Sequence, residues 1–328
     1  MDLVLGIDQG GTKTTAVLMD ESGRILGSGK SAGAYFPDVG IGRSTEAMRA
    51  AAEEAMAGTG AAMSSLTAIE VGMTGIDWPG QKEKLEEAVC DAFGVTRAEV
   101  VNDCVIAMYG GTLKPYGAVV CAGTGMNIAA RNPEGKSVIL GFYIDDADQG
   151  GGALAVRAMR KVFDAELGLC EPTKLRALFL DHFRKRTVDE LLYSYIEDPD
   201  TPAEARRLVP RIVGLASGGD EVTRRLLEQM ARETGAYLHC ALKKAGMERL
   251  PADVVLTGSV FKGSGNLLTE ALAEYIRADC PAAEVINARY EPVVGAAIMG
   301  LLRKSAVTPA VRKNIEKTAA AARLIRPV

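Results

Sequence analysis

The sequence predicts an α/β protein of two lobes, each of which begins with a three-strand meander. Strand-like and helix-like apolar patterns alternate along the chain. In addition, the glycine turn around Gly11-Thr12 recurs 112 residues later at Gly123-Thr124. The 328 residues are enough for two separate cores. We therefore expect one lobe at residues 1–112 and a second at 113–328, which includes a helical insertion at about 170–250.

The first lobe is predicted from apolar periodicity and from capping residues. Its meander has strands at 3–8, at 15–19 and from residue 24 onward. A loop at 31–43 precedes an alanine-rich helix at about 44–57, for which Ser44 or Thr45 could be the N-cap. The remaining elements are a strand at 66–73, a helix at 81–93 that stops at Gly94, a strand at 99–103 and a short helix at 104–109.

The second lobe repeats the meander and adds more helix. Its predicted strands are at 117–122, 128–131 and 137–141, and a glycine run at 150–152 leads into a helix at 153–167. The pattern from 173 to 246 is helical throughout, with two breaks. The chain is completed by a strand at 254–257, helices at 266–279 and 293–302, and a surface helix after Thr308.

The two glycine turns could bind phosphate. Glycines lack Cβ atoms, so backbone N–H groups can approach phosphate oxygens closely. A carboxylate at the end of the first strand, that of Asp8, suits Mg²⁺. The alternative is a tight hairpin in which glycines only satisfy the turn geometry, but the second copy favours phosphate. The candidate residues of the two turns are Gly10, Gly11, Thr12, Lys13, Gly123, Thr124 and Gly125.

Asp103 is the candidate catalytic base. It ends an apolar strand and precedes a helix of small residues, so it lies at a carboxyl edge, where α/β clefts open. A carboxylate there could accept the proton of a substrate hydroxyl that attacks a phosphate. The alternative is a structural role as the N-cap of the following helix, which position alone favours.

Two further turns and a few aromatic side chains are open to more than one interpretation. Asp148, before the glycine run, could bind a sugar hydroxyl or belong to the metal shell, or it could simply be solvated. Gly258-Ser259, after a buried strand, could let a nucleotide base pass over the backbone or could be an ordinary turn. Trp78, Tyr35 and Phe36 lie in predicted loops, where they could stack on a sugar or pack against the loop.

The bulk properties exclude several classes of function. A net charge of −4 gives no electrostatic case for binding nucleic acid. There is no apolar run long enough to span a membrane and no signal-peptide pattern at the start, so we expect a cytoplasmic protein without a membrane partner. Two histidines and six scattered cysteines make a zinc site improbable and indicate a reducing compartment.

The ordered set of these residues resembles the sugar kinase, actin and heat-shock chaperone ATPase superfamily. From Gly6 to Gly300 the chain is similar to the BadF/BadG/BcrA/BcrD-type ATPase family, and within it to the N-acetylglucosamine kinase branch. The resemblance implies a two-lobed actin-like (ribonuclease H-like) ATPase fold. It implies ATP-dependent phosphorylation of a sugar hydroxyl, with N-acetylglucosamine, glucosamine or a related hexose as the substrate. ATP, Mg²⁺ and a homodimer are implied in the same way.

The resemblance also implies a role for each matching residue. Asp103 matches the catalytic base and contacts the sugar, Asp8 lies beside the metal, and Asn127 matches an asparagine that holds the sugar. Thr124 and Asp148 match positions on the substrate side. The residues that match nucleotide-binding positions are Gly10, Gly11, Thr12, Lys13, Gly123, Thr124, Gly125, Gly258 and Ser259.

The chain departs from the pattern of the branch on the substrate side. Gln149 replaces a glutamate, and the loop at 31–40 lacks an expected asparagine. Two alternatives stand beside a sugar kinase, one suggested by the phosphate turns and one by these departures. One is an ATPase that activates a partner enzyme, like the activators of 2-hydroxyacyl-CoA dehydratases. The other is a sensor that binds a sugar or nucleotide without turnover.

Overall fold

The computed structural model describes residues 2–78, 80–262 and 267–326. Within these ranges the strands form two five-stranded sheets with the same internal order. The first sheet has the order β3-β2-β1-β4-β5, and the second has the order β8-β7-β6-β9-β10. The strands are β1 (Leu3–Gln9), β2 (Lys13–Asp20), β3 (Ile25–Ala32), β4 (Leu66–Met73), β5 (Glu99–Asn102), β6 (Gly117–Ala122), β7 (Met126–Arg131), β8 (Ser137–Ile139), β9 (Asp253–Thr257) and β10 (Glu284–Asn287).

Each sheet combines a hairpin meander with parallel strands. In the first sheet, β1 pairs antiparallel with β2 and parallel with β4, with Asp8 opposite Thr15 and Gly72. In the second sheet, β6 pairs antiparallel with β7 and parallel with β9 in the same way. The predicted α/β fold with two opening meanders is therefore confirmed. The pairing also puts the carboxyl ends of the central parallel strands on one edge of each sheet.

The helices connect the strands and form most of the second half of the chain. None of those in the described ranges is long and apolar enough to cross a membrane. Five of them fill the stretch between residues 173 and 246, where helix was predicted. The helices are α1 (Phe36–Met56), α2 (Gln81–Phe93), α3 (Asp103–Tyr109), α4 (Gly150–Glu166), α5 (Leu175–Phe183), α6 (Val188–Glu197), α7 (Thr201–Ala205), α8 (Val209–Ser217), α9 (Glu221–Lys244), α10 (Leu267–Asp279), α11 (Pro292–Leu302) and α12 (Pro309–Ala321).

Helices α3 and α11 lie between the two sheets and share a core with both. Ile106 of α3 and Val294 of α11 are fully buried in one cluster with Val4 of the first sheet and Val119 of the second. Helix α12 also packs on the first sheet, where its Ile315 is fully buried. These contacts hold the two sheets with their carboxyl edges facing a common cleft.

The start of α1 differs from the prediction. The helix begins at Phe36 rather than at Ser44, and it includes a kink at Gly40, whose φ of 81° and ψ of 162° are non-helical. Neither Ser44 nor Thr45 is an N-cap, because the Ser44 hydroxyl donates to the carbonyl of Ala34 and the Thr45 hydroxyl donates to that of Gly42. The predicted loop at 31–43 was wrong because a glycine can interrupt a helix without ending it.

Three smaller differences concern the second sheet and its helices. Strand β10 was not predicted. Helix α4 includes the glycine run at its first turn instead of starting at Ala153. The helix predicted at 266–279 is observed from Leu267, and residue 266 lies outside the described residues.

Candidate active site

A cavity of about 490 Å³ lies between the carboxyl edges of the two sheets. It is lined by residues at or just after the ends of β1, β4, β5, β6 and β9, which is where α/β sheets usually bind ligands. The polar side chains and glycines that line it include Asp8, Thr74, Gly75, Asp77, Asn102, Asp103, Gly123, Gly125, Asn127, Thr257, Gly258 and Arg326.

Asp103 is held in this cavity by hydrogen bonds to both of its carboxylate oxygens. The hydroxyl of Thr74 donates to Oδ2 at 2.6 Å, and the backbone N–H of Cys104 donates to Oδ1 at 3.0 Å. Burial raises the pKa of the Asp103 carboxyl above its usual range, and the hydrogen bond from Thr74 opposes that rise. A fixed carboxylate with a raised pKa is suited to accept a proton near neutral pH.

Two more carboxylates, those of Asp8 and Asp77, line the cavity with Asp103. Burial raises the pKa of Asp8 to about 7, and the charge of Asp103 adds to the rise. Burial and Asp103 also raise the pKa of Asp77, which accepts a hydrogen bond from Asn102 Nδ2 at 3.0 Å. The site therefore concentrates negative charge, which a bound cation would offset.

The carboxylates of this site fit Mg²⁺ that arrives with a nucleotide. In the described part of the chain, no group of three or more His, Cys, Asp or Glu side chains could hold a metal alone. Mg²⁺ does not require one, because it usually binds through one or two carboxylates, phosphates and several waters. Asp8 lies at the end of β1, close to the carboxylate of Asp103, and meets that requirement.

The second glycine turn is bonded directly to the first turn of α4. The N–H groups of Gly151 and Gly152 donate to the carbonyls of Gly123 and Thr124, each at 2.8 Å. A Cβ on Gly151 would lie 2.7 Å from the Gly123 carbonyl oxygen, so only glycine permits this approach. The glycine run thus positions the second glycine turn. The N–H groups of Gly151 and Gly152 are already hydrogen-bonded to that turn.

Gly258 and Arg326 form the wall of the cavity at the end of β9. Gly258 has a φ of 110°, and a Cβ there would lie 2.0 Å from the carbonyl oxygen of Ala122. The Arg326 guanidinium donates to the hydroxyl of Thr257, and its backbone N–H donates to the carbonyl of Arg289 at 2.9 Å. This side of the cavity has a bare backbone surface and one cation.

A second cavity of about 850 Å³ adjoins the first on the side of Asp77 and Asn127. We refer to it as the acceptor cavity. Both cavities are lined by Thr74, Gly75, Asp77, Met126 and Asn127, so they are continuous. The amide oxygen of Asn127 is buried and has no hydrogen-bond partner among the described residues. A buried acceptor atom without a partner is costly, so a donor from a ligand would satisfy it.

A family model, that of the BadF/BadG/BcrA/BcrD ATPase family, matches residues 5–300. The chain belongs to this family. The resemblance inferred from the glycine turns and Asp103 is thereby confirmed. The use of ATP follows from membership in an ATPase family.

Similar proteins include sugar kinases of several organisms. The chain is 27% identical to an N-acetyl-D-glucosamine kinase of Dictyostelium discoideum, over 92% of this chain and 99% of that protein. It is also 27% identical to an N-acetylmuramic acid/N-acetylglucosamine kinase of Clostridium acetobutylicum, over 91% and 98%. The structure of a ROK hexokinase from Thermus thermophilus matches with a TM-score of 0.56 and 20% identity, over 92% and 98%. The structural match confirms the predicted actin-like fold.

Some of the residues singled out in the sequence line the cavity of this family member, and others do not. Asp8, Asp103, Asn127 and Gly258 line it, as do Gly123 and Gly125 of the second turn. Gly11, Thr12 and Lys13 are exposed at the tip of the first turn, where the N–H of Gly10 donates to the carbonyl of Lys13 at 2.9 Å. None of these four residues lines either cavity, and neither do Thr124, Ser259 and Asp148.

The side chains of Asp148 and Gln149 lie in different surroundings. The Asp148 side chain is 67% exposed, and its carboxylate lies 3.7 Å from the Arg157 guanidinium. Gln149 is buried, donates from Nε2 to Glu233 at 2.6 Å and accepts from the Thr234 hydroxyl at 3.1 Å. The side chain that departs from the branch pattern therefore anchors α4 to α9.

The cavity lining includes polar residues that the sequence analysis did not propose for the site, among them Thr74, Asp77 and Arg326. Thr74 and Asp77 follow the end of β4, which is parallel to β1. The carboxyl-edge argument applied to Asp103 could have identified both of them. Arg326 lies more than 200 residues from the second turn and carries no motif, so only the fold could reveal it.

Proposed function

We propose that this protein transfers the γ-phosphoryl group of ATP to a hydroxyl of an amino sugar, such as N-acetylglucosamine or glucosamine, or of a related hexose. The observation that carries the proposal is the position of Asp103. It lines the same cavity as the second glycine turn, and that cavity is continuous with the acceptor cavity. The two N-acetylglucosamine kinases that resemble the chain support the choice of sugar.

In the proposed reaction, Asp103 accepts the proton of the acceptor hydroxyl while the oxygen attacks the γ-phosphorus. An oxygen–phosphorus bond forms to the sugar, and the bond between the γ-phosphorus and the bridging oxygen breaks, which releases ADP. The chemistry needs little from the protein beyond positioning and charge. The hydrogen bond from Thr74 holds the Asp103 carboxylate in one orientation for this transfer.

The nucleotide would occupy the side of the cavity formed by the two turns and the end of β9. Gly123 and Gly125 offer backbone to the phosphates, and the bare surface at Gly258 suits the adenosine. Thr12, Lys13 and Thr124 at the exposed turn tips would reach the phosphates together with the backbone of Gly10 and Gly11, and Ser259 would lie beside the adenosine with Gly258. When bound near Asp8, Mg²⁺ would neutralise part of the phosphate charge.

The sugar would occupy the acceptor cavity beside Asp103. The unpartnered amide oxygen of Asn127 would accept a hydrogen bond from a sugar hydroxyl or amide. Asp77 lines the same space and offers a second acceptor. Asp148 is exposed, so its proposed contact with the sugar requires that the loop before α4 move inward.

The test is a coupled assay for ADP release with ATP, Mg²⁺ and a panel of amino sugars and hexoses. We expect at least one amino sugar to be phosphorylated. Asp103→Asn should lower kcat by about 10²- to 10⁴-fold, because it removes the base and keeps the shape. Asp181→Asn, a change of the same kind on the exposed surface of α5, should have no effect.

Other outcomes would support the alternatives. Tight sugar binding without ADP release would indicate a sensor, and a preparation that contains iron would indicate an activator ATPase. Full activity of Asp103→Asn would contradict the proposed base. The lobe division at residues 112 and 113 and the homodimer are also proposals, which limited proteolysis and light scattering respectively would test.

A further inference from the structure

Two aromatic rings meet beside the acceptor cavity. Trp78 follows the loop after β4 of the first sheet, and Phe142 lies in the short helical turn after β8 of the second. Their ring centroids are 5.0 Å apart and their planes differ by 19°, so the rings are stacked. Among the ring pairs of the described residues, this is the one that joins the two sheets.

Both rings are largely exposed to solvent. Trp78 is 60% exposed and Phe142 is 65% exposed, so most of each ring faces water. The backbone N–H of Trp78 donates to Gln81 Oε1 at 2.8 Å, which fixes the backbone beside the ring. A single aromatic stack shifts an equilibrium by about 2- to 12-fold. A contact of that strength can open and close again in each catalytic cycle.

Each ring is adjacent in the chain to a group that contacts the acceptor site. Asp77, which lines both cavities, directly precedes Trp78. Gly141 directly precedes Phe142, and a Cβ on Gly141 would lie 3.0 Å from the amide atoms of Asn127. The backbone at Gly141 therefore packs against the Asn127 side chain. The stack therefore links the backbone on one side of the acceptor cavity to the backbone on the other.

We propose that Trp78 and Phe142 form a clasp that closes the acceptor cavity on the sugar. They are positioning residues that act through Asp77 and Asn127. Phe142 lines the acceptor cavity, whereas Thr257, Gly258 and Arg326 line the other cavity, so the clasp serves the sugar and not the nucleotide. The inference rests on the proposed function, because it places the sugar in this cavity.

The kinetic test is Phe142→Ala, which removes one ring of the stack. We expect KM for the amino sugar to rise by about three- to tenfold, while kcat and KM for ATP change little. The reason is that the ring stack stabilises the sugar complex equally in the ground state and in the transition state. Phe142→Tyr keeps a ring and should restore the wild-type KM. Tyr193→Ala, at a tyrosine that is 68% exposed on α6, is the matched control and should change none of these constants.

The spectroscopic test uses the fact that Trp78 is the single tryptophan of the chain. Adding the amino sugar without ATP should change its fluorescence emission in the wild type, and Phe142→Ala should abolish most of that change. Unchanged emission together with an unchanged KM in Phe142→Ala would overturn the clasp and leave the kinase proposal intact. If the wild type phosphorylates and binds no sugar, the proposed function fails, and the clasp fails with it.

Discussion

Asn102 and Asp103 share the capping and catalytic roles that the sequence left open for Asp103. Asn102 is the N-cap of α3, because its side chain accepts from the N–H of Cys104 at 3.0 Å. Asp103 accepts from the same N–H through Oδ1, but its Oδ2 faces the cavity and binds Thr74. The capping alternative thus applies mainly to Asn102, and the role of Asp103 as a base stays a prediction.

Thr74 should set the pH dependence of the reaction. Its hydroxyl lowers the pKa of Asp103 against the effect of burial, so Thr74→Val should raise that pKa further. Asp103 must be ionised to accept a proton, so activity is lost as the pH falls through its pKa. A higher pKa moves that loss to higher pH. We expect kcat at neutral pH to fall by about tenfold.

The measurement is the pH profile of kcat for the wild type and for two variants. Thr74→Ser keeps the hydroxyl and should follow the wild type. At high pH, Thr74→Val should approach the wild-type rate, because Asp103 is then ionised in both proteins. A profile of Thr74→Val that is lowered equally at every pH would indicate a purely structural role for Thr74.

At the scale of elements, hairpins and parallel strands were predicted more accurately than helix starts. The glycine turns, Gly94 at the end of α2 and the strand preceding Asp103 all match local signals in the sequence. The start of α1 was not predicted, because Gly40 indicates the end of a helix, whereas the helix continues beyond it. The use of Gly151 to pack α4 on the second turn was also invisible, since its partner Gly123 is distant in sequence.

Gly258→Ala should disrupt the turn that follows β9. Its φ of 110° disfavours a Cβ, and the new atom would clash with Ala122. We expect a loss of about 2–4 kcal/mol in the free energy of unfolding and a raised KM for ATP. Chemical denaturation and steady-state kinetics would measure the two effects.

Gly219→Ala is the matched control for that variant. Gly219 has a φ of 82°, but a Cβ there would meet no atom within 4 Å. Gly219→Ala should therefore lower the free energy of unfolding only through the unfavourable backbone conformation, by about 1–2 kcal/mol. It should leave KM for ATP unchanged. Equal effects of the two variants would show that the close contact between Gly258 and the Ala122 carbonyl does not matter for stability or for ATP binding.

At the scale of the whole molecule, an ion-pair network links the two sheets on the side away from the cavity. Arg303, just after α11, lies 3.0 Å from both the Glu70 and the Glu99 carboxylates. Glu99 in turn lies 2.7 Å from Arg131 of β7 in the second sheet. Glu70 is fully buried, and burial raises its pKa to about 8. The network joins β4, β5, β7 and the end of α11.

Arg303→Ala should destabilise the protein by about 3 kcal/mol, because it removes the guanidinium that lies against the buried Glu70 carboxylate. The loss should be larger at pH 9 than at pH 6. The folded-state pKa of Glu70 is above its unfolded value, so stability falls as the pH rises from about 4.5 to about 8. Adding Glu70→Gln should recover part of the stability and reduce the pH dependence. Urea denaturation at the two pH values measures this, and equal losses in the single and double variants would contradict it.

The sequence by itself determined the α/β class, the repeated meander, the two glycine turns and the candidate base Asp103. These features depend on local patterns of apolar, glycine and acidic residues, which adjacent positions reveal. Only the tertiary structure decided that Thr74, Asp77 and Arg326 share the cavity with Asp103, that Gln149 anchors a helix, and that Trp78 stacks on Phe142. The reason is physical, because these contacts arise where two sheets face each other and join residues that are far apart in the chain.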